Sequence, residues 1–228
     1  MKYLLILIAV FICKFSFAQQ ITYQEWKEQA KTEIRLLPEY GHVQKTEGQI
    51  AADNELIRTE LKENGTHRKA SDKLISLGFD YLYRGDIRTA MYRFNQAYLL
   101  DPKNENIYWG FGAIYFNFHD TSEALRQYAK GLAINANSSN ILTDKASTYM
   151  AIFENKGNAE DLNIAIGFFN KSYNIDPLNQ NTLFKLSAAY YYKKDCKNAW
   201  RFYNECMKLG GKPVTQDYTD ALKKMCAN

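Results

Sequence analysis

Histidines are scarce among the side chains that could do chemistry: His42, His67 and His119 are the only three in 228 residues. None has a second ligand at metal spacing, neither His-x-x-x-His nor Cys-x-x-Cys, so no metal centre is expected. Gly110-x-Gly112 holds two glycines of a dinucleotide fingerprint. It lacks the third glycine and a preceding strand, and it lies in a helix-like stretch where glycine serves close packing. Serines and carboxylates are plentiful, yet none sits in a nucleophile elbow or a recognisable acid/base pair. No catalytic residue and no cofactor is therefore expected, and the chain reads as a non-enzyme. Composition excludes further classes. The balance of 29 Lys+Arg against 25 Asp+Glu is too even for a nucleic-acid binder, and 46% hydrophobic with 14% aromatic residues is too apolar for disorder.

The N-terminal segment carries an address rather than a site. Lys2 precedes the apolar run Tyr3 to Cys13, and Ser16 and Ala18 place small residues where a signal peptidase requires them. The run has eleven residues, against the roughly twenty that a membrane span needs. Bulky Val10, Phe11 and Ile12 before Cys13 argue against lipidation. Residues 1–18 are expected to be a signal peptide. The mature chain would start at Gln19, work outside the cytoplasm in the periplasm or after secretion, and hold no transmembrane segment. Losing Lys2 and Lys14 lowers the formal charge from +4 to +2.

The elements that must position any site repeat along the chain. Leu77, Gly78, Tyr81, Ala90, Phe94, Ala97 and Pro102 are followed 34 residues later by Phe111, Gly112, Tyr115, Ala124, Tyr128 and Gly131. A third copy reads Ala146, Tyr149, Ala165, Phe169, Ser172 and Pro177, and a fourth Leu186, Ser187, Tyr190, Ala199, Tyr203 and Cys206. This pattern resembles the tetratricopeptide repeat family over residues 71–212. The resemblance implies an all-α, right-handed superhelical stack of helix hairpins, an α-solenoid, in which small residues let paired helices approach and an aromatic wedges between them. The units are 71–104, 105–138, 139–179 and 180–213. A helical capping region at 19–70 and a capping helix at 214–228 frame them.

Three departures from the repeat carry expectations of their own. Tyr149 to Ala165 spans sixteen positions where Tyr81 to Ala90 spans nine, so the third hairpin gains about seven residues and should protrude by one turn, about 5 Å. That tip is either neutral length variation or an extra contact edge. In the N-terminal region, Thr22-x-x-Glu25 opens a helix with Trp26, Ala30, Ile34 and Leu37 on one side, ended by Pro38. A second helix runs from about Thr46 to Glu63. Both are expected to cover the first repeat, unless the first is loosely attached or lies in the groove. At the other end, a turn at Gly210-Gly211 would place Cys196 and Cys226 equidistant from it, favouring a disulfide between them, with Cys206 a buried thiol. The alternative is three reduced cysteines.

The resemblance also implies a concave groove lined by the first helix of each hairpin. Carrying its positions two, five, nine, twelve and thirteen over gives Ile75, Phe79 and Tyr83; Asn106, Trp109, Phe116 and Asn117; Asn140, Thr143 and Met150; and Asn181, Phe184, Tyr191 and Tyr192. These positions hold no basic residue, so the groove lacks the Lys/Arg set with which such clamps hold a C-terminal carboxylate. Aromatics and amides suit a protein or peptide ligand, either extended or helical. The expected function is an interaction scaffold. The alternative is an assembly subunit of a cell-envelope complex, joined through hairpin edges or the basic C-terminal end, where residues 193–228 hold eight Lys/Arg and four Asp/Glu.

Overall fold

A computed structural model describes residues 21–227, and the expected signal peptide lies outside them. Four hairpins follow one another: α3 (His67–Tyr83) with α4 (Ile87–Leu100), α5 (Glu105–Asn117) with α6 (Thr121–Ile134), α7 (Ser139–Lys156) with α8 (Ala159–Ile175), and α9 (Gln180–Tyr192) with α10 (Cys196–Lys208). Before them stand α1 (Tyr23–Ala30) and α2 (Glu47–Asn64), and after them α11 (Gln216–Met225). No strand occurs among the described residues.

Capping side chains recur at equivalent places. Asp86, Asp120, Asn158 and Asp195 start the second helices, and Thr66, Asn104, Ser138 and Asn179 the first ones, each accepting a backbone N–H of the opening turn. The wedge residues then set how closely helices approach. The Phe94 ring sits where a Cβ on either Gly78 or Gly110 would collide with it, so α3, α4 and α5 meet around one aromatic. Gly112 opens the same kind of space for Tyr128. Gly110-x-Gly112 is thus a packing device.

The inner helices touch in sequence, α3 to α5 to α7 to α9, while each outer helix contacts its own partner and the next inner helix. An inner row in mutual contact beside an outer row that is spread apart makes a curved stack with a concave inner face. The third hairpin departs from this plan by length: α7 has 18 residues and α8 has 17, against 13 and 14 in the hairpin before it. Its tip from Glu154 to Glu160 is exposed. The base of the extension is not free, because the Tyr192 hydroxyl donates to Glu154 Oε1 at 2.8 Å and the Tyr192 ring meets Phe153 edge-on.

The N-terminal region differs from the expectation that two helices cover the first repeat. α1 stops at Ala30, well before Pro38, and docks across the second repeat: Tyr23 stacks on Phe118 and donates to Asp120 at 2.6 Å, while Trp26, 1% exposed, packs on the same Phe118. Buried Asn95 of α4 explains why the helix does not continue. Its Nδ2 donates to the carbonyls of Arg35 and Leu37 and its Oδ1 accepts the N–H of Tyr40, satisfying backbone groups that a helix would otherwise pair. Between them the chain makes a left-handed turn, with φ of 56°, 57°, 63° and 54° at Glu39, Tyr40, Gly41 and His42. Non-glycine residues resist this conformation. Glu39 anchors it: the buried carboxylate takes the Tyr108 hydroxyl at 2.7 Å, pairs with the Lys130 ammonium, and lies 3.2 Å from His42 Nε2. Burial alone would raise the pKa of Glu39, but the bonds from Lys130 and Tyr108 outweigh it and hold the carboxyl below its ordinary value. α2 does sit on the first repeat, through Lys73 to Glu60 and Glu63, yet none of its side chains is buried.

At the C-terminal end Cys196 and Cys226 are joined by a disulfide, with Cα atoms 5.5 Å apart, and α11 lies back on the last hairpin. Cys206 is free and fully buried, and burial pushes its thiol up.

Candidate binding groove

The groove is best developed over the first three hairpins. Phe79 forms its floor, 8% exposed, with the Trp109 ring 4.2 Å away by centroids and Tyr83 stacked at 6.1 Å. Tyr83 rises from that floor and is 78% exposed. A hollow of about 520 Å³ lies against Phe79, Tyr83, Asn106, Trp109 and Asn140, and one of about 370 Å³ against Tyr83, Phe116, Asn117, Asp144, Ser147 and Lys185. Tyr83 borders both, so the channel along the inner face consists of two hollows that adjoin at this side chain. Desolvation by its surroundings, and then the charges of Asp144 and Asp80, push the Tyr83 hydroxyl above its ordinary value.

Polar partners fix the aromatic platform. The Trp109 indole N–H donates to Asp144 Oδ2 at 2.6 Å, and the other oxygen of Asp144 faces Lys185 Nζ at 3.3 Å, which also donates to Ser147 Oγ at 2.7 Å. One charged pair therefore links α5, α7 and α9 across the inner face. Neither residue is among the expected lining positions, and Lys185 corrects the reading that the groove holds no basic side chain. Both stand one place after position five of their units, beside Thr143 and Phe184, so they escape a list restricted to the family's usual positions. Lys185 is committed to Asp144 and Ser147, which differs from a set of free cations holding a terminal carboxylate.

Several expected lining residues do other work. Thr143, 3% exposed, joins Ser172 and Thr182 in a buried hydroxyl cluster with contacts of 2.8 and 2.7 Å. It is a packing residue, too short and too deep to reach a partner. Met150 packs in the core of the third and fourth hairpins. Phe184 and Tyr191 meet Tyr218 of α11 edge-on, at 5.2 and 6.0 Å, and Tyr218 also bonds Ser187 at 2.6 Å. The capping helix thereby covers the inner face of the last hairpin. Asn181 is exposed beyond the two hollows, and Tyr192 is exposed at the rim but tied to Glu154. Asn140 accepts a bond from the neighbouring cap Asn179 at 3.3 Å. The residues brought together are thus Phe79, Tyr83, Asn106, Trp109, Phe116, Asn117 and Asn140, with Asp144, Ser147 and Lys185 added.

Among the described residues no group of three His, Cys, Asp or Glu side chains could hold a metal ion, and no helix is long and apolar enough to cross a membrane. The curved pairing of helices defines an α-solenoid, and comparison with solved structures places it more narrowly. The chain is similar to TTC0263, a thermophilic TPR protein of Thermus thermophilus, with a TM-score of 0.57 and 14% identity over 68% of this chain and 80% of that one. It is also similar, less closely in space, to MamA, with a TM-score of 0.49 and 17% identity over 75% and 98% of the two chains. YrrB, a TPR protein with an unusual peptide-binding site, gives 0.46 and 15% over 87% and 96%. No family model matches the chain and no curated protein matches its sequence. The protein has the tetratricopeptide repeat fold.

Proposed function

We propose that the protein is a non-enzymatic scaffold that holds a peptide or helix of a partner protein in the channel around Tyr83 and Trp109. The observation that carries this reading is the aromatic platform itself. An exposed tyrosine over a rigid Phe79–Trp109 pair offers large contact area at little ordering cost, the chemistry that dominates binding energy at interfaces. Asn106, Asn117 and Asn140 supply amides along the same channel for a partner's backbone. The site of action is proposed to be outside the cytoplasm. Two features support it: the apolar run ending at Ser16-Phe17-Ala18, and the Cys196–Cys226 disulfide, a bond that persists in oxidising compartments.

Capture of partners from the organism's own envelope extract tests the reading. Wild-type protein should retain a specific protein that Tyr83→Ala and Trp109→Ala lose by about tenfold or more, the size expected of a central aromatic anchor. Tyr83→Ala is the cleaner variant because its side chain supports no core. A partner held equally by both variants would instead favour the second reading, assembly through a hairpin edge. For that reading the relevant observation is a row of exposed apolar residues at equivalent helix ends, Ile134, Ile175 and Leu209, with Leu178 beside them.

A further inference from the structure

The outer face carries a second site. α2 bears Ile50, Leu56, Ile57 and Leu61 over eighteen residues, yet none is fully buried: Ile57 packs partly on the core, while a gap remains between the Leu56 side of α2 and α4. The space between them is a cavity of about 600 Å³, bordered by Ala52 and Leu56 of α2, Leu99 and Arg93 of α4, and Arg35 and Lys45 of the N-terminal segment. That volume is in the range of small-molecule sites.

Charge in the cavity is not balanced. Arg35 is held by Glu33, with Nε 2.6 Å from Oε1, and lies over the Tyr92 ring. Lys45 pairs with Asp53 and stands 3.3 Å over the Tyr40 ring. Both carboxylates bordering the cavity are thereby committed. Arg93 remains: one nitrogen donates to Gln96 Oε1 at 2.9 Å, its buried Nε has no partner, and no carboxylate among the described residues lies within 4.0 Å of it. A guanidinium has five N–H donors and does not lose its proton, so an unpaired one beneath a cap is costly.

The repeat makes this position more telling. Three residues past the small Ala90, Ala124, Ala165 and Ala199 stand Arg93, Gln127, Phe168 and Phe202. Phe168 and Phe202 stack on Tyr149 and Tyr190, whereas Arg93 takes the same place over Tyr81, the equivalent tyrosine of the first repeat. Burial by the N-terminal strap, residues 21–45, and by α2 should favour an apolar residue in the first hairpin above all. The one charged residue at this position lies instead under that cover.

We infer that the cavity binds an amphiphilic organic carboxylate, with the headgroup paired to Arg93 and the apolar body filling the gap beneath Ala52, Leu56 and Leu99. A planar carboxylate matches the guanidinium fork, and an apolar body would complete the burial of Leu56, which is only partial. The site is separate from the channel on the inner face and does not depend on the peptide-binding reading.

Titration calorimetry with sodium octanoate, 1-octanol and inorganic phosphate tests this on the full chain. Octanoate should bind saturably at one site and at least about tenfold more tightly than either of the others, the margin of a charge-assisted bond combined with an apolar contact. Arg93→Gln should weaken octanoate about tenfold with an unchanged circular dichroism spectrum. Ala52→Trp, made on an exposed position of α2, should block the cavity and abolish binding even if Arg93→Gln fails to fold. Absence of saturable octanoate binding overturns the inference. So does octanoate binding that survives Ala52→Trp, or 1-octanol or phosphate binding as tightly as octanoate.

Discussion

At its N-terminal end the solenoid is closed by a strap that reaches across two hairpins, whereas at its C-terminal end it is closed by one ten-residue helix and a disulfide. The strap's bonds join residues far apart in the chain: Tyr23 with Asp120, Glu39 with Tyr108 and Lys130, Tyr40 with Asn95. The C-terminal cap touches only the last hairpin, through Tyr218, Leu222 and the Cys196–Cys226 bond. Stacked repeats ordinarily gain stability from nearest neighbours and fray from their ends. One end resists fraying by fastening two repeats to a common strap, the other by a covalent tie. The strap region should therefore unfold together with α3–α6, while α10 and α11 open on their own terms.

The strongest test of that difference is Trp26→Ala, which empties a fully enclosed site between α1 and Phe118. It should cost about 4 kcal/mol in urea unfolding, and hydrogen exchange should rise across both α3–α4 and α5–α6. Faster exchange confined to α1 would mean that the strap does not couple the repeats. Next in size, replacing Cys196 and Cys226 together by Ala removes a tie across 30 residues and should cost about 3 kcal/mol. Here faster exchange should stay within α9–α11, and spread into the first two hairpins would erase the contrast between the ends. The smallest effect is expected of Glu39→Gln. It leaves the Lys130 ammonium without its partner, but Lys130 is partly solvated, so the loss should be about 2 kcal/mol. Because folding lowers the pKa of Glu39, its contribution is complete above the ordinary glutamate value and is lost as the pH falls through the folded value. Wild type and Glu39→Gln should differ fully at pH 7 and begin to converge as the pH falls below the ordinary glutamate value of about 4.3. A difference that persists under acid would assign the Glu39 contacts to packing rather than charge.

The repeats are legible because each copy states the same geometry in small and aromatic residues. Phe94 between Gly78 and Gly110 is one such statement, and the tyrosines at one shared repeat position, Tyr81, Tyr115, Tyr149 and Tyr190, are another. The left-handed turn is not legible. Glu39 and Tyr40 have no local preference for positive φ, and they are held there by Lys130 and Asn95, far away in sequence. The break of α1 after Ala30 has the same origin. In the groove, the aromatic half can be read by position within the repeat, and the charged half cannot. Asp144 and Lys185 become visible only once Trp109 is seen to need an acceptor for its indole N–H. Thr143 misleads for the opposite reason: its position faces the groove by count, but its side chain ends inside the stack.

The disulfide also decides how the molecule would carry a load. A pull on the chain at Cys226 passes through sulfur to Cys196 at the start of α10, so the residues between them, including all of α11, fall outside the path of tension. Force would enter the solenoid at the turn of its last hairpin, one helical turn ahead of Ala199, which is fully packed. The C-terminal helix would stay seated over Phe184 and Tyr191 under strain that would peel a helix held by contacts alone.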